Sequence, residues 1–329
     1  MNLNKDLNLI DKLFWLNKEV LITGGTGTLG KALTKKLLKE YPIKGIRIYS
    51  RDEAKQDNFR YELEKENLLN KVSFLIGDVR DKERLDMAMK KVNIVIHTAA
   101  MKQVPACEYN PIEAVKTNIN GAVNVVSAAI NNGVEKVMNI ATDKGVYPIN
   151  FYGCTKAVAE KLFTFANVYS PLFTKFSSCR YGNVLGSRGS IIPLFKKQFE
   201  EKGYITITHK DMTRFWISLN RVVQFVLDRI EEVQGGEIFA PIMKSMSVID
   251  LAKLIVPNTK INVIGIRDGE KLHEYLISKE EMERTVIHSN QSYDYFEIRK
   301  YGSEKMVNAY SSDIAVQYNN EEMLKLLEE

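Results

Sequence analysis

The run VLITGGTGTLGKAL, residues 20–33, constrains this chain more than any other. A short apolar strand passes directly into glycines at 24, 27 and 30, which open a helical pattern. Without side chains the turn can close tightly, backbone N–H groups can approach a pyrophosphate, and helix and strand can touch. A G-x-x-G-x-x-G spacing alone would also suit a purely structural turn. Between a strand and a helix it reads as the cradle of a dinucleotide.

What surrounds the turn supports that reading. Short apolar runs at 20–23, 46–50, 72–78, 93–100 and 136–142 alternate with longer amphipathic stretches, the pattern of parallel strands joined by crossover helices. A sixth strand is expected near Lys175 to Arg180, after a helix from about Tyr152 to Val168. Beyond Arg180 the rhythm breaks into loops rich in Gly, Asn and Arg, a helix near Ile191 to Lys202, and the short strand YITIT at 204–208. The expectation is an α/β fold: a doubly wound parallel Rossmann sheet with a smaller C-terminal substrate lobe. Residues 1–18 form an extension, 19–180 the nucleotide domain, and 181–329 mainly the second lobe, with some segments returning to the first domain.

Composition narrows the partners. The net charge of +5 comes from 46 basic and 41 acidic residues that alternate without a basic block, which gives no support to nucleic-acid binding. Cys107, Cys154 and Cys179 are odd in number and lack C-x-x-C spacing, so neither a disulfide framework nor a metal site is expected, and a reducing cytoplasm is. The first eighteen residues hold no apolar run of signal-sequence length, and no stretch reaches the span of a membrane helix. Leu13, Phe14, Trp15 and Leu16 read as a cap on the core or a subunit contact rather than an anchor.

The ends of the strands supply the cofactor residues. At the second, Ser50 and Arg51 are donors where an NAD binder would place an acid at once; Arg51 can grip a 2′-phosphate bidentately, which favours NADP over NAD. The alternative leaves Arg51 in solvent and Asp52 on the ribose. Asp78, followed by Val79, can meet an adenine amino group or simply cap its loop. Ala99 and Ala100 let a cofactor pass, while His97 reads as a satisfied core histidine.

Tyr152 and Lys156 lie one helical turn apart on one face, and a neighbouring ammonium is expected to pull the phenol below its usual value near 10. Tyr152 can then accept a hydroxyl proton as hydride leaves carbon. Asp143 and Lys144, nine residues earlier, form a second acid and base just past the fifth strand. An exposed, salt-linked loop pair is the plainer explanation for them.

Together TGGTGTLG, YSRDEAKQ, IGDVRD, TDK with YGCTK, RYGNVLGSRGSIIPLF, MTRFWISL and GIRDGEKLHE resemble the extended short-chain dehydrogenase/reductase family. Within it the resemblance is to the inverting UDP-N-acetylglucosamine 4,6-dehydratases of pseudaminic acid biosynthesis. It runs from about residue 18 to 280, and departs from the family at Ala141, Gly145-Val146-Tyr147 and Leu29.

The resemblance implies a lyase that oxidises the sugar at C4, removes the C5 proton, expels the C6 hydroxyl as water and returns the hydride to C6. Lys144 is then the C5 base, which requires its pKa to be lowered, and Asp143 helps water leave, with Thr142 beside them. Thr26, Thr28, Leu29, Lys55 and Asn118 join the cofactor residues. For the sugar nucleotide the expected contacts are Met101, Lys102, Asn183, Val184, Arg188 before a helix start at Ser190, Thr206, Arg214, Arg267 and Glu270. The expected substrate is UDP-GlcNAc and the expected assembly a homo-oligomer. A UDP-hexose 4-epimerase and a catalytically silent NADP-binding regulator are the competing readings.

Overall fold

The computed structural model describes residues 12–170, 172–186, 191–289, 293–302 and 308–329. Six strands carry the first half: β1 (Glu19–Thr23), β2 (Gly45–Ser50), β3 (Val72–Ile76), β4 (Ile94–His97), β5 (Lys136–Ile140) and β6 (Lys175–Cys179). They lie parallel in the order β3-β2-β1-β4-β5-β6. Ile238–Pro241 continues the sheet in parallel beside β6, and Asp294–Ile298 and Thr285–Ser289 close it antiparallel. This is the expected doubly wound α/β sheet. The runs 72–78 and 93–100 leave the ladder earlier than their apolar content suggests, at Ile76 and His97.

Alternation along each strand feeds two cores, one on either face of the sheet. Val20 and Ile22 of β1 pack with Leu33, Leu37, Ile46 and Ile48. Leu21, between them, joins Tyr49, Val95, Val137 and Ala122 on the other side. Each large side chain buried in this way contributes about 1.5–3 kcal/mol.

The apolar cluster near the start caps the first core. Trp15 is fully buried, meets Tyr41 edge to face at 5.4 Å between ring centroids, and donates from Nε1 to Glu231 Oε1 at 2.6 Å. Residues 1–11 of the extension lie outside the described residues. No described helix is long and apolar enough to cross a membrane.

Later segments add smaller sheets. Asn183–Val184, Thr213–Ile217 and Ser245–Ser247 form a three-stranded sheet. Tyr204–Ile207, the expected YITIT strand, pairs in parallel with Lys260–Val263, and its Ile205 and Ile207 bury against Phe195 of the helix Ile191–Lys202. Cys107 and Cys179 are buried free thiols and Cys154 an exposed one.

Candidate active site

Strand order reverses between β1 and β4, and the crevice there opens at the carboxyl ends of the strands, where such sheets hold ligands. The glycine turn lines it. Gly24 sits at φ +66°, and a Cβ on it would stand 2.8 Å from the Ala99 nitrogen, so the β1 and β4 loops touch only because that atom is missing. Gly27 is the N-cap of the helix Thr28–Glu40 and brings no capping side chain, which leaves the first turn of N–H groups to an anion. Thr26, Gly27, Thr28, Leu29 and Gly30 all border a cavity of about 650 Å³, with Ala99, Ala100 and Lys55. These residues fit the diphosphate of a dinucleotide.

A smaller cavity of about 170 Å³ adjoins it, bounded by Ser50, Arg51, Asp52, Lys55, Asp78, Val79 and Met101. Several of its polar groups are already engaged. The Asp52 side chain caps the helix Glu53–Lys65 by accepting from Lys55 N, and also holds the Lys55 ammonium. Asp78 caps its own loop, accepting from Arg80 N and from Arg80 Nη2 at 2.7 Å, and it also borders this cavity. Arg51 is mostly exposed and reaches within 3.7 Å of Asp78.

The opposite wall of the large cavity carries Thr142, Lys144, Tyr152 and Lys156. Thr142 ends the strand extension after β5 and caps the short turn Asp143–Gly145. Asn150 caps the helix Phe151–Phe165 through Gly153 N, and that helix brings Tyr152 and Lys156 to the same face. Asn118, in the π-helical turn Val115–Asn120, does not border either cavity. It grips Met101 through both backbone groups and donates to Thr155 at 3.0 Å, which pins the β4 loop to the Tyr152 helix.

Asp143 and Lys144 are paired, but not as an exposed loop pair. Asp143 is fully buried, Lys144 half-buried, and their Nζ–Oδ1 separation is 3.1 Å. Thr142 Oγ1 donates to the same Oδ1 at 3.0 Å, and Lys144 Nζ also donates to Asn183 Oδ1 at 3.0 Å. Asn183 therefore serves first to hold Lys144, although it borders the cavity with Val184. The second oxygen of Asp143 is buried without a hydrogen-bond partner.

Two electrostatic expectations are overturned. Burial raises Tyr152 to about 12, against the lowering effects of Lys144 and a Thr142 hydrogen bond. Lys156 is itself drawn down to about 8 by burial and donates to the Ile140 carbonyl at 2.6 Å. A role for Lys144 as a base calls for a depressed value. Burial does oppose its charge, but the Asp143 and Glu274 carboxylates outweigh it and raise the ammonium above its ordinary value. Asp143 moves up as well, through burial first and Glu274 next, against Lys144.

The residues expected for the sugar nucleotide scatter. Lys102 borders the large cavity. Arg214 is buried and spends its guanidinium on the carbonyls of Thr213, Leu272 and Lys271, so it is no free clamp for a diphosphate. Arg267 and Glu270 close a turn on each other, with Arg267 N donating to Glu270 Oε2 at 3.3 Å and Glu270 N to the Arg267 carbonyl at 3.1 Å, and neither borders the cavity. Thr206 exchanges two hydrogen bonds with Gln198, also away from it, because its strand faces the helix Ile191–Lys202. Arg188 and Ser190 lie outside the described residues.

Residues not singled out in the sequence complete the site. Tyr181, Trp216 and Gln103 border the cavity. Behind Lys144 stands Glu274, buried, with Lys271 at 3.3 Å and Arg214 at 4.0 Å. The Lys271 ammonium reaches the Val146 carbonyl at 2.5 Å, so the unusual Gly145-Val146-Tyr147 stretch anchors this cluster through its backbone. Glu274 belongs to GIRDGEKLHE; its signal was a lone acid entering the apolar run YLI.

Residues 20–295 match the polysaccharide biosynthesis protein family. A UDP-N-acetylglucosamine 4,6-dehydratase (inverting) of Campylobacter jejuni subsp. jejuni serotype O:23/36 (strain 81-176) is 50% identical over 83% of this chain and 81% of its own. A protein named UDP-glucose 4-epimerase from Rickettsia conorii (strain ATCC VR-613 / Malish 7) is 44% identical over 88% of this chain and 85% of its own. Among solved structures, Pen from Bacillus thuringiensis superposes with a TM-score of 0.88 at 37% identity, covering 96% of this chain and 98% of that one.

Proposed function

The chain belongs to the polysaccharide biosynthesis protein family of extended short-chain dehydrogenases/reductases, and from that premise we propose that it is an NADP-dependent UDP-N-acetylglucosamine 4,6-dehydratase that inverts C5. The observation that carries this reading is the buried Asp143–Lys144 pair, with Lys144 on the cavity wall that also holds Tyr152. An epimerase removes and restores hydrogen at C4 alone, and Tyr152 suffices for that. A silent regulator needs neither group. A dehydratase must in addition move a proton from C5 and protonate a departing hydroxyl.

Gly24, Thr26, Gly27 and Thr28 would hold the diphosphate of a nicotinamide cofactor, which would supply a reversible hydride acceptor for the sugar. Tyr152 must first give its phenol proton to solvent, a loss that the Lys144 charge and the Thr142 hydrogen bond favour against burial; as phenolate it then takes the C4 hydroxyl proton. The C4 carbonyl then makes the C5 hydrogen acidic. Lys144 starts as an ammonium, so its first act is to pass a proton across 3.1 Å to Asp143, whose carboxyl burial has made receptive. Neutralising both members of a desolvated pair costs far less there than in water. The amine then removes the C5 proton, and as ammonium delivers one to the C6 hydroxyl, which leaves as water. Asp143 returns its proton to Lys144. A solvent-derived proton reaches C5 from the opposite face as C6 takes the hydride.

Arg51, beside the smaller cavity, is the group proposed for the 2′-phosphate, and Lys102 for the sugar nucleotide. The Rickettsia relative keeps a UDP-hexose 4-epimerase as the second reading. Incubation with UDP-GlcNAc in D2O separates them. A 4-keto-6-deoxy product carrying deuterium at an inverted C5 is expected; UDP-GalNAc without loss of water would establish the epimerase instead.

A further inference from the structure

Glu274 is a buried carboxylate with no task in the scheme above. Its backbone is fixed from both sides, since Glu274 N donates to Ser312 Oγ at 3.0 Å and Ser312 N donates to the Glu274 carbonyl at 2.8 Å. Its side chain points into the polar cluster behind the cavity. Oε1 lies 3.5 Å from Lys144 Nζ and 4.0 Å from Arg214 Nε, and Oε2 lies 3.3 Å from Lys271 Nζ. Lys144 is thus held between two carboxylates, Asp143 on its own turn and Glu274 on a distant segment.

We propose that Glu274 is a positioning residue for the dehydration: its charge fixes the Lys144 ammonium against Asp143 and keeps the proton of that pair inside the cavity until the sugar uses it. This rests on the dehydratase reading above. The titratable and charged groups facing the pair come from four elements: Asp143 and Lys144 on the turn after β5, Tyr152 on the helix Phe151–Phe165, Arg214 on Thr213–Ile217, and Lys271 with Glu274 on the segment before Tyr275–Ile277. Three cations surround two acids, so a pair left to itself would shed its proton to solvent easily. Glu274 opposes this because an anion raises the proton affinity of both partners, and it acts in that direction on Asp143 and on Lys144. It can do so only while ionised. Burial works against that, but Lys144, Arg214 and Lys271 together keep its carboxyl below the ordinary range. The two acids therefore divide the work: Asp143 takes and gives the proton, and Glu274 stays charged.

Glu274→Gln removes the charge and keeps the shape. The alkaline limb of the dehydration rate is expected to move to lower pH by about one to three units, and Glu274→Asp to restore much of it, while single-turnover formation of reduced cofactor keeps its rate. If Glu274→Gln folds poorly because Lys271 is left uncompensated, Glu274→Gln/Lys271→Met carries the same test. An unshifted limb, or equal slowing of both half-reactions, would overturn the proposal. A second readout is independent of turnover: NMR of protein labelled with ¹⁵N-lysine, with the Lys144 resonance identified by its loss in Lys144→Arg. That resonance should titrate at lower pH in Glu274→Gln, and an unchanged titration would overturn the inference even in an active enzyme. A shifted titration in a protein that makes no dehydrated product would support Glu274 and refute the dehydratase reading.

Discussion

Arg180 packs against the helix Phe151–Phe165 and grips both oxygens of Glu160, with Nε 3.0 Å from Oε2 and Nη2 2.5 Å from Oε1. Glu160 is one helical turn beyond Lys156. The same guanidinium holds Glu281 through two further bonds and the Leu276 carbonyl through a third. It thereby ties the helix that carries Tyr152 to the segment that follows Glu274. All three side chains are buried. Arg180→Met would leave two carboxylates desolvated without a cation, and the expected loss is about 3–5 kcal/mol. Urea unfolding measures it; an unchanged midpoint would mean that the triad does not brace the site.

His97 offers a pH test of the fold. It is buried at the end of β4 with Nδ1 2.7 Å from Thr23 Oγ1, and burial, with the Lys156 charge, depresses it from 6.5 to about 3. The folded value is below the unfolded one, so the neutral ring contributes its stability in full above about pH 6.5 and loses it as pH falls toward 3. Stability should decline by a few kcal/mol across that window, and His97→Asn should flatten this part of the profile. Parallel acid curves for the two proteins would remove His97 from the account.

Much of this was written in local pattern. The six parallel strands follow from apolar runs whose alternation feeds both faces of a sheet, and the Tyr152–Lys156 spacing fixes a shared helix face whatever surrounds it. What failed was charge state. The position of Lys144 was legible from its place after β5, but its proton affinity depends on Glu274, which arrives from another segment. Arg214 looked like an anion clamp because Arg usually is one. Its guanidinium instead satisfies three carbonyls of a loop that no periodicity describes. Thr206 faced the wrong way for a similar reason, since a short strand does not announce which helix will cover it.

Arg51 tests the cofactor proposal. Its side chain is mostly exposed beside the smaller cavity, and its ion pair with Asp78 is loose at 3.7 Å. A guanidinium so placed is free to turn toward a 2′-phosphate, at little cost to the fold. Arg51→Ala should weaken NADP binding about tenfold or more, equivalent to about 1.4 kcal/mol, and leave NAD almost unaffected. Calorimetric titration with each cofactor reads the difference. Equal losses for both would assign the 2′-phosphate to another group.

The two proposed proton-handling centres should separate under mutation because they are assigned to different carbons. Tyr152→Phe removes the only group proposed for the C4 hydroxyl proton, so no reduced cofactor should form on mixing with UDP-GlcNAc, and the loss in rate should be about 100-fold or more. Lys144→Ala leaves Tyr152 in place, although without one of the charges that oppose its raised phenol value. Oxidation at C4 should therefore persist at reduced rate, while elimination fails; reduced cofactor accumulates and the sugar keeps its C6 hydroxyl. The truncation also leaves Asp143 and Glu274 facing each other with one cation fewer, which raises their proton affinities and shifts what oxidation remains toward higher pH. Stopped-flow absorbance and product NMR follow the two halves independently. Water loss by Lys144→Ala at the wild-type rate would place the C5 base elsewhere on the cavity wall, and reduced cofactor in Tyr152→Phe would take the first proton away from the phenol.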